Sequence, residues 1–280
     1  RIVCSHWAPA DLHFPATASK NSKKRACVVY LHGNASGRVE ALSQLSLCLA
    51  LDVSLFAFDF TGSGLSDGDY VSLGHFERAD LGAVLTHLKT SRNVGQVALW
   101  GRSMGAVTAL LYSAPRDDLS VACMILDSPF ADLAQLAEEM FDKGRDAGLN
   151  VPSFVFSIAL RMIRNSVQKT AGFDIKDLSP ISSVRRCFVP ALFVCATHDD
   201  LIPMELHAVK LHEKYGSDQK RLIVVAGDHN TPRPVSLLYA AGSYIETHLR
   251  RNETREGGDT SYLDDIVDSF DVDKTPWDQN

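Results

Sequence analysis

Three kinds of side chain that together can cleave an acyl bond stand far apart in this 280-residue chain. Ser103 lies in Gly101-Arg102-Ser103-Met104-Gly105, His229 in Gly227-Asp228-His229-Asn230, and carboxylates follow apolar runs at Asp127, Asp199 and Asp200. A serine hydroxyl is a poor nucleophile at neutral pH; it needs a base within hydrogen-bond reach and a third group to orient that base. Gly101 and Gly105 remove the side chains that would clash in a sharp reversal and so turn the Ser103 oxygen outward. The plainer role for Ser103, capping a helix, explains neither the paired glycines nor the other elements. Attack by Ser103 would leave negative charge on the carbonyl oxygen, which calls for two donors: the N–H of Met104, and an N–H from the loop after the first parallel strand, where Gly33 allows close approach and Asn34 supplies the amide.

The elements that must position these groups can be read from the hydropathy pattern. Short β-branched and aromatic runs occur at 26–32, 53–60, 96–101, 121–127, 191–197 and 221–227. Helical spacing fills 37–50, 74–91, 103–114, 203–215 and 233–249. Continuously apolar strands alternating with helices predict an α/β fold with a parallel sheet covered on both faces. In such sheets the ligand crevice lies beyond the carboxyl ends of the strands, where Asn34, Ser103, Asp127, Asp199 and His229 all fall. Asp228 reads as a solvent-facing turn residue. His198 adjoins a candidate acid too closely to donate a hydrogen bond to it and also reach Ser103. The glycine-rich DFTGSGLSDG at 59–68 lacks the Gly-Lys-Ser/Thr of a phosphate loop and reads as a packed loop beside the crevice.

Composition narrows the partners. A formal charge of −6 and a polar KNSKKR stretch at 20–25 as the main basic run argue against a nucleic-acid surface. The six cysteines have no C-x-x-C or zinc-like spacing, and Cys27, Cys123 and Cys195 sit in apolar runs as buried thiols, which fits a reducing, cytoplasmic setting. No apolar run reaches the roughly 20 residues of a membrane-crossing helix, so membrane association is expected only through a segment outside this chain.

With LHGN at 31–34, GRSMG at 101–105, the Asp-x-x-Ile-Pro frame at 199–203 and the glycine-acid-histidine ending at 227–229, residues 26–250 resemble the α/β-hydrolase superfamily, in its serine aminopeptidase-like branch of small esterases, lipases and depalmitoylases. The resemblance implies an α/β-hydrolase fold and a catalytic set of Ser103, Asp199 and His229. The family frame selects Asp199, four residues before Pro203, over Asp200 and Asp127. It makes His32 a loop-shaping residue. Thr61 stands where similar sequences often carry arginine, so that arginine's role is not transferred. The implied chemistry is hydrolysis of an ester or thioester of a small-molecule or acylated substrate through an acyl-serine, with neither metal nor organic cofactor. The alternatives are a peptidase or amidase of the same fold and a non-catalytic binding or scaffold protein, the latter expected to lack a triad member.

Residues 1–250 are expected to form one domain with a short insertion at about 131–187. Within it Val151, Phe154, Val155, Ile158, Ala159, Met162 and Ile163 follow helical spacing, with Arg161 and Arg164 on the polar side. This stripe is either an ordinary packing face or a short cap in which Phe154 and Met162, with Phe130, line an acyl pocket. Residues 251–280 carry nine acidic against three basic residues, an acidic tail in which Tyr262, Leu263, Ile266, Val267 and Phe270 recur with near-helical spacing.

Overall fold

A computed structural model describes residues 1–8, 24–91, 94–115, 118, 120–148 and 152–250. The acidic tail and Val151 lie outside the described residues. In chain order the elements are β1 (Cys4–Trp7), β2 (Arg25–Leu31), α1 (Leu42–Ala50), β3 (Ser54–Phe58), α2 (Glu77–Ser91), β4 (Val94–Arg102), α3 (Met104–Ser113), β5 (Val121–Asp127), α4 (Leu133–Asp146), α5 (Ser153–Ala171), α6 (Pro180–Ser183), β6 (Ala191–Ala196), α7 (Ala208–Lys214), β7 (Lys220–Val225) and α8 (Val235–Arg250).

The seven strands form one sheet in the order β1-β3-β2-β4-β5-β6-β7. All neighbours are parallel except β1, which runs antiparallel to β3 at the edge. The six apolar runs are the six parallel strands. Strand β1 has no such signal, because CSHW is short, polar and half-exposed. Side chains alternate across the pleat. Val29, Leu31, Leu99, Met124 and Phe193 pack under α2 and α3, while Val28, Tyr30, Trp100, Ile125 and Leu192 pack against α1 and α8 on the other face. Both faces are buried, so the strands are apolar along their whole length rather than at every second residue.

From β2 the chain passes to β3 on one side and later returns as β4 on the other. Strand order therefore reverses between β2 and β4, the place where a crevice opens in such sheets. Register sets what meets there: Leu31 pairs with Gly101, and Arg102 with Asp127. The loops carrying Asn34, Ser103 and Asp127 leave the sheet side by side.

The insertion rests on this end of the sheet. Val107 and Leu111 of α3 share a buried cluster with Phe130, Leu136, Phe173, Ile175, Leu178 and Ile202. Helix α5 corrects the reading of its apolar stripe. Its inward side carries Phe156, Leu160 and Val167, with Phe156 stacked on Phe141 of α4 at 4.1 Å. Phe154, Val155, Ile158, Met162 and Ile163 are instead exposed, 66% for Phe154 and 67% for Met162. The stripe is therefore not a packing face. Arg164 lies away from the stripe, as expected, and binds Asp174 through Nε at 2.6 Å. Among the described residues no helix is long and apolar enough to cross a membrane.

Helix α3 approaches β2 so closely that a Cβ on Gly105 would lie 2.0 Å from the Leu31 carbonyl oxygen and 2.9 Å from that of His32. Both are backbone atoms, Leu31 at the end of β2 and His32 just beyond it, so they cannot yield as a flexible side chain would. Gly105→Ala is expected to lower stability by at least about 1–3 kcal/mol, as overpacking does. Gly82→Ala on α2, where the nearest atom is the Tyr112 Cε2 at 3.4 Å, should be neutral or stabilising. Denaturant midpoints of the two variants check the contrast.

Candidate active site

Ser103 joins β4 to α3 with φ 49° and ψ −113°. A positive φ in a residue with a Cβ costs about 1–3 kcal/mol and persists only where neighbours hold it. The Ser103 N–H donates to the Asp127 carbonyl at 2.7 Å and the Ser103 carbonyl accepts from the Val107 N–H at 3.0 Å, which ties the residue to β5 and to the first turn of α3. Met104 is the first residue of α3, so its N–H has no acceptor within the helix and the positive end of the helix dipole lies there. Among the described residues, Ala35, Ser103 and Ser128 are three of five non-glycine positions with positive φ; they lie in the loops leaving β2, β4 and β5.

His229 and Asp199 meet from neighbouring loops. Strands β6 and β7 end in register at Ala196 and Val225, and the His198 N–H donates to the Gly227 carbonyl at 2.9 Å just beyond. The His229 Nδ1 lies 2.7 Å from Asp199 Oδ2. The other carboxylate oxygen accepts the N–H groups of Leu201 at 3.1 Å and Ile202 at 2.7 Å. Burial of Asp199 opposes its charge, but the hydrogen bonds from His229 and Ile202 outweigh it and hold the carboxyl below its usual range.

The competing residues are otherwise engaged. Asp127 is gripped by Arg233, Nε to Oδ2 and Nη2 to Oδ1 both at 2.9 Å, and this pair is nearly buried. Asp200 is exposed, with Lys143 on its carbonyl. His198 is exposed and bonds Thr197. His32 is fully buried: its Nδ1 donates to the Gly33 carbonyl at 2.7 Å, and its Nε2 accepts the Phe60 N–H at 3.1 Å, so it braces the loop. Asp228 is exposed and caps its own turn by accepting the N–H groups of Asn230 and Thr231. Thr61, where an arginine was in question, gives both its N–H and its hydroxyl to Asp80 of α2.

Asn34 lies exposed in the turn after β2 and Met104 is buried at the head of α3. Of the three residues expected in an acyl pocket, Phe130 is buried at 3% exposure, while Phe154 and Met162 stand on the solvent side of α5.

The sequence reading left two residues without a role. Arg102 donates through Nη2 to the His229 carbonyl at 2.8 Å and through Nη1 to Glu40 Oε1 at 3.3 Å. Glu40 also accepts the Tyr30 hydroxyl at 2.9 Å and the Gly33 N–H at 3.1 Å. Arg102 adjoins Ser103 in the motif and could have been singled out there. Glu40 sits in a short helical turn whose proximity to β4 no local pattern reveals. Among the described residues no group of three or more His, Cys, Asp or Glu side chains could hold a metal ion.

A family model described as Hydrolase_4, serine aminopeptidase S33, matches residues 22–165. The uncharacterized protein YqkD of Bacillus subtilis is 29% identical over 245 residues, 86% of this chain and 72% of its own. The uncharacterized protein YfhR of Escherichia coli K12 is 24% identical over 217 residues, 77% of this chain and 66% of its own. The chain thus spans about two thirds to three quarters of the length of these relatives. A monoacylglycerol lipase of Paleococcus ferrophilus superposes with a TM-score of 0.62 at 16% identity, covering 89% of this chain and 99% of that one. The esterase Pf2001 of Pyrococcus furiosus superposes with a TM-score of 0.61 at 20% identity, covering 81% and 82%. At these identities the likeness is one of fold.

Asp127→Asn should act on stability, because it leaves the nearly buried Arg233 guanidinium without its charged partner. Loss of one member of such a pair typically costs about 3–5 kcal/mol, read as a lower denaturant midpoint. The depressed carboxylates set the acid limit. Asp199 and Glu40 are held below their usual range and Asp118 is lowered to about 2, so the native state binds fewer protons than the unfolded chain. Their contribution is complete above the ordinary carboxylate range near pH 4 and is lost as pH falls below it. Denaturation midpoints should therefore drop between about pH 4 and pH 2.

Proposed function

Given that the chain belongs to the serine aminopeptidase S33 family of α/β-hydrolases, we propose that it is a serine hydrolase that cleaves carboxylic esters or thioesters with an apolar acyl group. The observation that carries this reading is the 2.7 Å contact between His229 Nδ1 and Asp199 Oδ2. A proton held on Nδ1 leaves Nε2 as the basic nitrogen of the ring. In the proposed reaction Nε2 takes the Ser103 proton as Oγ attacks the carbonyl, and returns it to the leaving group. Asp199 orients the ring and stabilises the imidazolium. The N–H groups of Met104 and Asn34 receive the oxyanion. Water, deprotonated by the same histidine, then attacks the acyl-serine, and collapse of the second oxyanion frees the acid and Ser103.

The ester reading draws on the lipase and esterase among proteins of the same fold and on the apolar cluster of Val107, Leu111, Phe130 and Ile202 beside the strand ends. Phe130 is proposed to border the acyl chain. Phe154 and Met162 are not, since both face solvent. The family description also names an aminopeptidase, so amide cleavage is the second reading. A panel of esters, thioesters and aminoacyl amides of graded length separates the two.

A fluorophosphonate should label Ser103, and Ser103→Ala should neither be labelled nor hydrolyse a p-nitrophenyl ester; stoichiometric labelling of that variant would overturn the assignment. Asp199→Asn should lower kcat by about 10⁴-fold with the fold intact, whereas Asp200→Asn should stay within about tenfold, or ~1.4 kcal/mol of barrier. Phe154→Ala and Met162→Ala should keep the wild-type chain-length preference, and a shift in either would place the outer face of α5 in the acyl site.

A further inference from the structure

The oxyanion loop and the histidine loop leave different strands, β2 and β7, which lie at separate places in the sheet with β4, β5 and β6 between them. The sheet alone does not set the distance between a backbone N–H on one loop and an imidazole on the other. One side-chain chain spans the gap. Glu40 takes the Gly33 N–H on Oε2 at 3.1 Å, one residue before Asn34. Its Oε1 takes Arg102 Nη1 at 3.3 Å, and Arg102 Nη2 reaches the His229 carbonyl at 2.8 Å. Tyr30, from β2, steadies the shared oxygen at 2.9 Å. Arg102 itself is fixed at the end of β4, one residue before Ser103.

We propose that Glu40 and Arg102 form a positioning strut that sets the oxyanion loop and His229 at one spacing about Ser103. The inference rests on the hydrolase reading above. Arginine suits the task because its planar guanidinium holds two acceptors in a fixed geometry, which a lysine ammonium does not. Glu40 stays ionised at neutral pH: burial opposes its charge, but hydrogen bonds from Ser36, the Gly33 N–H and Tyr30, with the Arg102 charge, hold its carboxyl below the usual range. The pair is mostly shielded from solvent, with side-chain exposures of 26% and 14%, so breaking it costs some stability as well as the spacing of the two loops. Misplacing a reacting group by about 1 Å can cost on the order of 10² in rate. Neither donor nor base is fully engaged before the transition state, so the loss belongs to kcat rather than KM.

The test compares Arg102→Met, Glu40→Gln and the double variant on a p-nitrophenyl ester. Arg102→Met is expected to lose about 10²-fold in kcat with KM within about threefold, and the double variant should be no slower than Arg102→Met, since both break one chain. Glu40→Gln, which keeps the side-chain volume, gives the same readout if Arg102→Met does not fold. A kcat within about threefold of wild type in the folded variants, or two losses that multiply, overturns the strut. If the wild-type protein is neither labelled by fluorophosphonate nor active on any ester, the hydrolase reading fails by itself. The strut is then read from the His229 Nδ1–H proton resonance: its loss in Arg102→Met supports the strut, and its persistence overturns it.

Discussion

The site depends on a close approach between two pieces of backbone. At Gly105 the first turn of α3 touches the Leu31 and His32 carbonyls so tightly that any Cβ would overlap them. That contact brings the first turn of α3 against the end of β2. Ser103, two residues before Gly105, has a positive φ, and its N–H is tied to the Asp127 carbonyl. Most of the crevice follows from this geometry. The parallel register of β2, β4 and β5 puts the three loops side by side, and the missing side chain lets them close.

Electrostatics then sorts the carboxylates. Asp127 and Asp199 both sit at strand ends and both are buried, and neither could remain charged without partners. Asp127 meets the Arg233 guanidinium and becomes part of the scaffold. Asp199 meets two backbone N–H groups and the imidazole of His229. Arg233 adds a further tie, since its Nη1 also reaches the Asp228 and Thr231 carbonyls. The histidine loop is thus held by Arg233 on one side and Arg102 on the other. The ring itself is held by Asp199 through Nδ1.

The insertion shows how far an amphipathic pattern can mislead. Helix α5 carries apolar residues on more than one side. The narrower set of Phe156, Leu160 and Val167 packs inward, while the longer-looking stripe of Phe154, Val155, Ile158, Met162 and Ile163 is turned to solvent. Periodicity identifies a helix correctly and says which residues share a face. It does not say which face meets the body, because that depends on how α4 and α5 close on each other through Phe141 and Phe156.

Much was legible in the sequence by itself. The six parallel strands, the alternating helices and the sharp turn at Ser103 are local properties: apolar runs, 3.6-residue spacing and paired glycines act within a few residues of where they are written. The edge strand β1 was missed because its four residues carry no such signal. The family frame already favoured Asp199 as the partner of His229; only the tertiary structure showed where Phe154 and Met162 lie and that Glu40 and Arg102 join two loops. The contacts behind them bring together residues as far apart as 127 positions, Arg102 and His229 among them. Hydrogen bonds and ion pairs act over about 3 Å, so pairing at such separations exists only after strand order and register have brought the ends together.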